Sequence, residues 1–483
     1  MSATKNLYLI FLQTAGRLPN QMACRDLGAN IDYSYADLAH RIADAAGALK
    51  QAGISSGDCV GLHIASGLDY IIFAYAIWAC GGVVVPIATE IVDDERSEIF
   101  RKIRIDAVMT TTRTSGLFDE VAGEGHLIAG GIIVRPVRSP LVHPAGFLDV
   151  DAAFIRFTSG TTATAKGVVL SHATVHDRIH AANDALAINA ADTVIWLLSM
   201  SYHFTVSIVS YLTFGATIIL CSDHFGETIV EEAAANGATL IYGSPQHYSY
   251  MLADKTATRL ADLRLAISTA SSLKSEIATG FFKRFGVALS QAYGLIEVGL
   301  PCINLLGETA KPGSVGRLLP AYRLRMRDVP ESELKAIDLA GPGIVDAYYN
   351  PWLSRDEIMP EGWFETGDMG FLDEDGYLII AGRSKEMISV GGMKFFPRDV
   401  ETVLESHPAI AEAYVYSEPS SRLGEIPRAS VRLRPGVTVD PAELRHYCLA
   451  RLSSYKVPQQ IDVVAELPKT ASGKLRRRSI NPA

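Results

Sequence analysis

The chain has 483 residues, room for two or three domains at about 150 residues each. Its composition, 48% hydrophobic and 20% charged, is globular and excludes disordered, collagen-like and disulfide-scaffold chains. With 44 Lys and Arg against 53 Asp and Glu the net charge is −9, so nucleic acid or an anionic membrane has no electrostatic claim as main partner.

Six cysteines (Cys24, Cys59, Cys80, Cys221, Cys302, Cys448) stand far apart, with no CxxC pair. That spacing suggests neither a zinc site nor a disulfide framework, and a reducing, cytoplasmic compartment is expected. The apolar run at residues 7–12 behind Lys5 is too short for a signal-peptide core. In chain order, Ser34-Tyr35-Ala36-Asp37 fits a capping box before Leu38, Ile42, Ala45, Ala46 and Leu49 at helical spacing, and Gly53 ends that helix. Strands are then expected over 58–64, 82–86 and 107–111, with helices over 68–80 and 94–102 between them. Further strands are expected over 195–198, 217–220, 239–242, 265–268 and 287–291. Repeated βα alternation argues for parallel sheets covered by helices.

Residues 70–89 and 193–222 carry no Asp, Glu, Lys or Arg, and each is long enough to span a bilayer. Gly81-Gly82 and Pro86 interrupt the first, while hydroxyls, His203 and Gly215 interrupt the second. Both end in β-branched runs, so helix, turn and buried strand is the expected reading. After about Gly313 the pattern turns to short strands at 315–316, 322–326 and 370–380, the last folded on an Asp373-Glu374-Asp375-Gly376 turn. From Glu386 a compact pattern follows: helix 397–406, strands 410–417 and 427–433, helix 441–452.

The most informative segment is Thr158-Ser159-Gly160-Thr161-Thr162-Ala163-Thr164-Ala165-Lys166-Gly167, between apolar runs 152–157 and 168–170. Clustered hydroxyls, glycine backbone and one lysine are what a polyphosphate cradle requires. A Walker loop needs GxxxxGK[ST]; here Ala165 and Gly167 occupy the second Gly and the Ser/Thr positions, so that pattern fails twice.

Thr-Ser-Gly-Thr-Thr-x-x-x-Lys-Gly resembles instead the phosphate loop of the acyl-adenylate-forming superfamily of acyl-CoA synthetases, adenylation domains and luciferases. Four more segments resemble that superfamily's motifs in the same order. They are Gln291-Ala292-Tyr293-Gly294-Leu295-Ile296-Glu297, Gly362-Trp363-Phe364-Glu365-Thr366-Gly367-Asp368, Gly382-Arg383-Ser384-Lys385-Glu386 with Gly391-Gly392, and Pro468-Lys469-Thr470-Ala471-Ser472-Gly473-Lys474. The resemblance covers essentially the whole chain.

It implies an α/β fold: a large N-terminal domain (1–382) of parallel and mixed sheets flanked by helices, with a β-rich subdomain. A hinge follows at 383–385, then a small mobile α+β domain over 386–483. It also implies roles. Thr158, Ser159, Gly160, Thr161, Thr162 and Lys166 would hold the ATP phosphates, and Glu297 would offer a carboxylate oxygen to Mg²⁺. Ala270, Ser271, Ser272, Gln291, Ala292, Tyr293 and Gly294 would line the adenine pocket, with Tyr293 stacked on the base. Asp368 and Arg383 would reach the ribose, Lys385 would be the hinge, and Gly391-Gly392 would pass the pantetheine arm. Lys474 would bridge the carboxylate and α-phosphate as the catalytic lysine.

His203, Tyr242 and Gly243 are expected at an acyl pocket. No Asp lies between Thr193 and Ser222 to hold an α-ammonium group, which argues against an α-amino acid and fits a neutral aryl or aliphatic acid in a mostly apolar pocket. Ile296 stands where the superfamily carries Thr, removing a hydroxyl from the α-phosphate, and Ala163 and Ala165 replace Gly and Pro in the phosphate loop. The implied reaction is ATP-dependent activation of a carboxylic acid followed by transfer to the thiol of CoA, or of a phosphopantetheinylated carrier protein. A nucleotide-binding protein without catalysis and a luciferase-type oxygenation are the readings from other classes.

Overall fold

The computed structural model describes residues 5–128, 130–157, 166–330 and 332–467. Thr158 to Thr162 and Lys474, expected to act on the phosphates, lie outside the described residues. The chain divides into two compact units. Described residues up to 157, with 166–323 and 340–364, make the first; 324–339 and 365–467 belong to the second.

The first unit holds two nine-stranded sheets. In one, Cys59–Leu62 lies between Val83–Pro86 and Ala107–Thr111, parallel to both, and every residue of Cys59–Leu62 and Val83–Pro86 is buried. Burial on both faces is what a helix-covered parallel sheet imposes, and it explains their unbroken apolar sequence. Ala152–Phe157 joins parallel to Val83–Pro86 and then pairs antiparallel with Gly167–Ser171, so the expected phosphate loop connects two neighbouring strands. The other sheet aligns Thr217–Leu220, Thr193–Trp196, Leu240–Gly243, Leu265–Ser268 and Leu289–Leu295 in parallel order.

Helix Tyr35–Gln51 begins at the expected cap, where Ser34 and Asp37 satisfy each other's backbone N–H groups. The charge-free stretches resolve as expected. Leu68–Ala79 is a helix buried nearly all round before strand Val83–Pro86. The second stretch runs through strand Thr193–Trp196 and helices Met200–His203 and Ile208–Phe214 into strand Thr217–Leu220. Among the described residues no helix is long and apolar enough to cross a membrane.

Several strand positions differ from expectation: that expected over 287–291 is Leu289–Leu295, and the hairpin expected over 370–380 runs from Phe364 to Arg383. The strand expected over 195–198 is Thr193–Trp196, because its pairing with Thr217–Leu220 ends at Trp196 and leaves Leu197 and Leu198 to turn away. The strand expected at 315–316 is Arg317–Leu318 instead. Residues 311–316 curl around Asn304, whose amide donates to the Lys311 and Ser314 carbonyls, and the Ser314 hydroxyl takes the Gly316 N–H.

In the second unit Arg323–Arg327, Lys335–Ala340, Phe364–Leu372 and Leu378–Arg383 form a four-stranded sheet. Its buried Asp338 is paired with Arg325 and Arg327. The C-terminal part is α+β. The long pair Ile410–Ser420 and Gly424–Leu433 carries helices Pro397–Glu405 and Pro441–Leu449 over a core that includes Val400, Leu404, Val415, Val431, Leu444 and Ile461.

Glu308, 2% exposed beside the Asn304 loop, accepts the Gly313 N–H on one oxygen, while its other oxygen meets no partner among the described residues. Burial pushes its carboxyl up to about 7 from 4.5. Folding therefore takes up a proton between those values, so the contribution of Glu308 to stability is full below about 4.5 and is lost as pH rises through 7. Glu308→Gln is expected to remove that slope. The thermal midpoint of the parent should fall relative to the variant between pH 5 and 8, by an equivalent of about 2 kcal/mol; parallel curves would contradict it.

Candidate active site

Strands Thr193–Trp196, Leu240–Gly243, Leu265–Ser268 and Leu289–Leu295 are parallel neighbours, so their carboxyl ends share one edge of the sheet. Trp196 lies opposite Tyr242, Gly243 opposite Ser268, and Ser268 opposite Gln291. Side chains and loops just beyond such ends line the ligand crevice of open α/β sheets. Tyr242, Gly243, Ala270, Ser271, Ser272, Gln291, Ala292 and Tyr293 all fall there. Thr269 N–H donates to the Gly243 carbonyl at 3.1 Å and Leu273 N–H to Gln291 Oε1 at 3.4 Å, tying three of these segments together. Ala270 is held at φ +74°, the left-handed region that costs a residue with a Cβ; such strain persists only where neighbours over-determine it.

His203 closes the short helix Met200–His203 after the first of these strands. Its ring packs edge-on against Tyr242 (5.8 Å) and Trp196 (6.4 Å), and its Nδ1 is 3.4 Å from the Tyr242 hydroxyl. Trp196 and Tyr242 are stacked at 5.6 Å, and Tyr211 meets Trp196 edge-on. The structure thus brings His203 and Tyr242, two of the three expected acyl-pocket residues, together in one aromatic cluster with Trp196. Burial pushes the Tyr242 phenol up to about 12, so it stays a neutral donor and acceptor.

Glu297 sits at the tip of the hairpin formed by Leu289–Leu295 and Gly299–Ile303. That tip is held from behind. Arg178, 1% exposed on helix His172–Leu186, donates to the Ile296 carbonyl at 2.9 Å and to the Gly343 carbonyl, while Val345 N–H donates to the Glu297 carbonyl at 2.7 Å. Burial pulls the Arg178 guanidinium down to about 10, leaving it charged at neutral pH. Gly343, at φ +68°, allows this approach: a Cβ there would fall 2.5 Å from that of Arg178.

Lys166 has its ammonium 4.2 Å from the Tyr348 ring centroid, a cation–π contact. The Tyr348 phenol is raised first by burial and then by the Glu297 carboxylate. Tyr348 thus carries the Lys166 ammonium on its ring and lies within the field of the Glu297 carboxylate. Glu297 offers hard oxygen ligands from a half-buried tip, a donor that fits Mg²⁺ held mainly through phosphates.

In the second unit Asp368 and Arg383 lie directly opposite on paired strands, with Arg383 Nε 3.2 Å from Asp368 Oδ1. The Thr366 hydroxyl accepts the Asp368 N–H and donates to the Ile337 carbonyl, fixing the buried carboxylate on the strand. Lys385 is exposed in a single 3₁₀ turn directly after the strand ending at Arg383. Gly391 (φ +56°) and Gly392 (φ +87°) form the two-residue turn between Ile388–Val390 and Met393–Phe395. Two successive positive φ values are the demand of a tight hairpin turn, so this glycine pair has a backbone reason of its own.

Three side chains that the motifs do not reveal also stand at the first unit's site: Arg156, Arg178 and Trp196. The signal for Arg156 is a lone charge inside the apolar run 152–157. Arg178 is hidden in an amphipathic helix that also carries Asp177 and Asp184. One further group of metal-type side chains, Cys59, Asp106 and His143, converges elsewhere in this unit. Its carboxylate is already spent on Arg104 and the Cys59 N–H, contacts that with His143 hold it down at about 2 despite burial.

Strand ends that carry an aromatic cluster, in a unit that also sets Lys166 against Tyr348, are the arrangement of a small-molecule crevice in an open α/β sheet. A family model described as AMP-binding enzyme matches residues 11–349, and one described as AMP-binding enzyme C-terminal domain matches 399–474. The chain belongs to this family of AMP-binding enzymes, within the acyl-adenylate-forming superfamily. It is 29% identical over 450 residues to the sulfoacetate–CoA ligase of Cupriavidus necator, covering 88% of this chain and 87% of that one. Identity to the 2-succinylbenzoate–CoA ligase of Bacillus licheniformis is 28%, covering 97% and 98%. Among solved structures, ATP-bound MatB from Rhodopseudomonas palustris aligns with a TM-score of 0.85 at 24% identity, over 98% of each chain, and shows the same fold.

Arg178→Met would strip the Ile296 and Gly343 carbonyls of their buried donor. A loss of about 2 kcal/mol or more is expected, read as a lower urea midpoint; an unchanged midpoint would show that the clamp carries no load.

Proposed function

We propose that the protein is an ATP-dependent acid–thiol ligase that takes an aryl or aliphatic carboxylic acid, not an α-amino acid, and delivers it to CoA. The observation that carries this reading is the placing of Tyr348, with the Lys166 ammonium on its ring and within the field of the Glu297 carboxylate, in a chain that also holds the paired Asp368 and Arg383. Two of the named relatives support it, being CoA ligases for acids as different as sulfoacetate and 2-succinylbenzoate. Their names therefore support the reaction and leave the acid to the pocket.

In the first step a carboxylate oxygen of the acid attacks the α-phosphorus of ATP, and pyrophosphate leaves. Lys166 offsets charge on the departing phosphates, the hydroxyls of 158–162 donate hydrogen bonds to them, and Lys474 stabilises charge as the new P–O bond forms; Glu297 would hold a Mg²⁺ ion, which would supply charge screening. Gln291 to Gly294 and Ala270 to Ser272 hold the adenine, while Asp368 and Arg383 hold the ribose. In the second step the thiol sulfur attacks the acyl carbon and AMP leaves with the bonding electrons. Division of a large domain (1–382) from a small mobile one (386–483) about Lys385 would let one site serve both steps, with Gly391 and Gly392 beside the pantetheine arm.

A carrier protein is the alternative acceptor. Arg422, Arg428, Arg476, Arg477 and Arg478 are the candidates for docking one, and of these Arg428 is already paired with Glu418 and Gln460. Six free thiols, five of them buried, support a cytoplasmic setting.

Lys474→Ala is expected to slow acid-dependent pyrophosphate release by about 100-fold or more, while sparing thioester formation from supplied acyl-AMP. Near-normal adenylation would overturn the assignment. Lys385→Pro should slow thioester formation more than adenylation, measured as separate half-reactions; equal slowing would remove the hinge.

A further inference from the structure

Arg156 ends an otherwise apolar strand, Ala152–Phe157, immediately before the phosphate loop. Its Nη1 donates to the Tyr202 carbonyl at 2.7 Å, and its guanidinium lies over the Tyr202 ring at 5.0 Å. Both contacts are to the short helix Met200–His203, whose last residue packs into the aromatic cluster at the expected acid pocket. The Arg156 Nε–H is shut off from solvent and meets no acceptor among the described residues.

No carboxylate among the described residues stands within ion-pair distance of Arg156; Glu297 and the tyrosines 70 and 202 act on it only as part of the wider field. A half-buried cation that satisfies one backbone carbonyl and one aromatic face is electrostatically incomplete, because burying a charge is costly until an anion or full hydrogen bonding compensates it. Here burial is the dominant influence on the guanidinium and lowers its pKa, the sign of a cation lacking its counterion. The phosphates already have Lys166 and the hydroxyl-rich loop, and Arg156 makes its contacts on the side of the acid-pocket helix.

We propose that Arg156 is a specificity-determining residue that pairs with a second anionic group, a carboxylate or sulfonate, on the acid substrate. This rests on the ligase reading above and narrows its acid to a dianionic one. The guanidinium's planar fork suits either group, and the unused Nε–H is one of the two parallel donors that a bidentate contact needs. A pocket built around such a donor discriminates strongly against an analogue that lacks the acceptor, since the donor is then left buried and unpaired.

The test is acid-dependent pyrophosphate release by the full chain with matched pairs, butyrate against succinate and 3-phenylpropionate against its carboxyphenyl derivative, in parent, Arg156→Gln and Arg156→Lys. The expected result is a preference of about tenfold or more in kcat/KM for the dianionic member. Arg156→Gln should lose it through a raised KM for the acid, with the KM for ATP unchanged, and Arg156→Lys should restore it in part. An unchanged KM for ATP also reports that the variant is folded. Preference for the singly charged member, or a preference that survives Arg156→Gln, overturns the proposal and leaves the ligase reading standing. A raised KM for ATP with the acid's unchanged assigns the guanidinium to the phosphates and also overturns it. No release with any acid removes the ligase reading itself, and the proposal with it.

Discussion

The site of the first unit depends on a buried cation that bonds to backbone. Arg178 gives its donors to the carbonyls of Ile296 and Gly343, and so joins three parts of the chain that are distant in sequence: helix His172–Leu186, the hairpin tip that carries Glu297, and the segment running to Tyr348. A side chain bonded to carbonyls rather than to a carboxylate fixes backbone position while keeping its positive field. That field acts on the same hairpin tip where Glu297 stands, and Tyr348, the next ring along, carries Lys166 on its face. The hairpin tip that carries Glu297 is placed by this arrangement of backbone bonds.

Much of this was legible in the chain itself. The βα alternation predicted most of the parallel strands to within two residues, because strands buried on both faces must be apolar throughout and carry no other signal to confuse them. Ser34 and Asp37 announced their helix through a local bond that needs no tertiary context. Tyr242, Ala270 to Ser272 and Gln291 to Tyr293 lie at or just beyond the ends of the first unit's parallel strands, while Asp368, Arg383, Lys385, Gly391 and Gly392 lie in the second unit. Less visible was everything that depends on packing between distant segments. Arg156 and Arg178 are single charges with no motif, and only the fold shows that one holds backbone while the other keeps a donor in reserve. Strand periodicity reports the sheet and is silent on what a strand's last residues reach, as with Arg156 and its bond to the Tyr202 carbonyl.

The second unit gives a different lesson about motifs. Asp368 and Arg383 lie in separate motifs fifteen residues apart, yet their strands are paired in register, so the hairpin turn at Asp373 to Gly376 sets their separation. Gly391 and Gly392, by contrast, match a functional motif at a place where the hairpin alone would demand glycine. A motif residue with an independent backbone reason says less about chemistry than one, such as Asp368, whose neighbours serve to hold a charged group in place.

The Arg178 clamp also limits how this chain can be recombined with its relatives. A crossover placed anywhere between residues 187 and 295 would take the guanidinium from one parent and the hairpin tip with Gly343 from the other. A parent with any side chain at 343 would meet Arg178 at 2.5 Å, and a parent without the arginine would leave two carbonyls unpaired. Viable chimeras should therefore inherit Arg178 and Gly343 as a pair, so a block exchanged between parents either spans 178–343 whole or leaves both ends with the same parent.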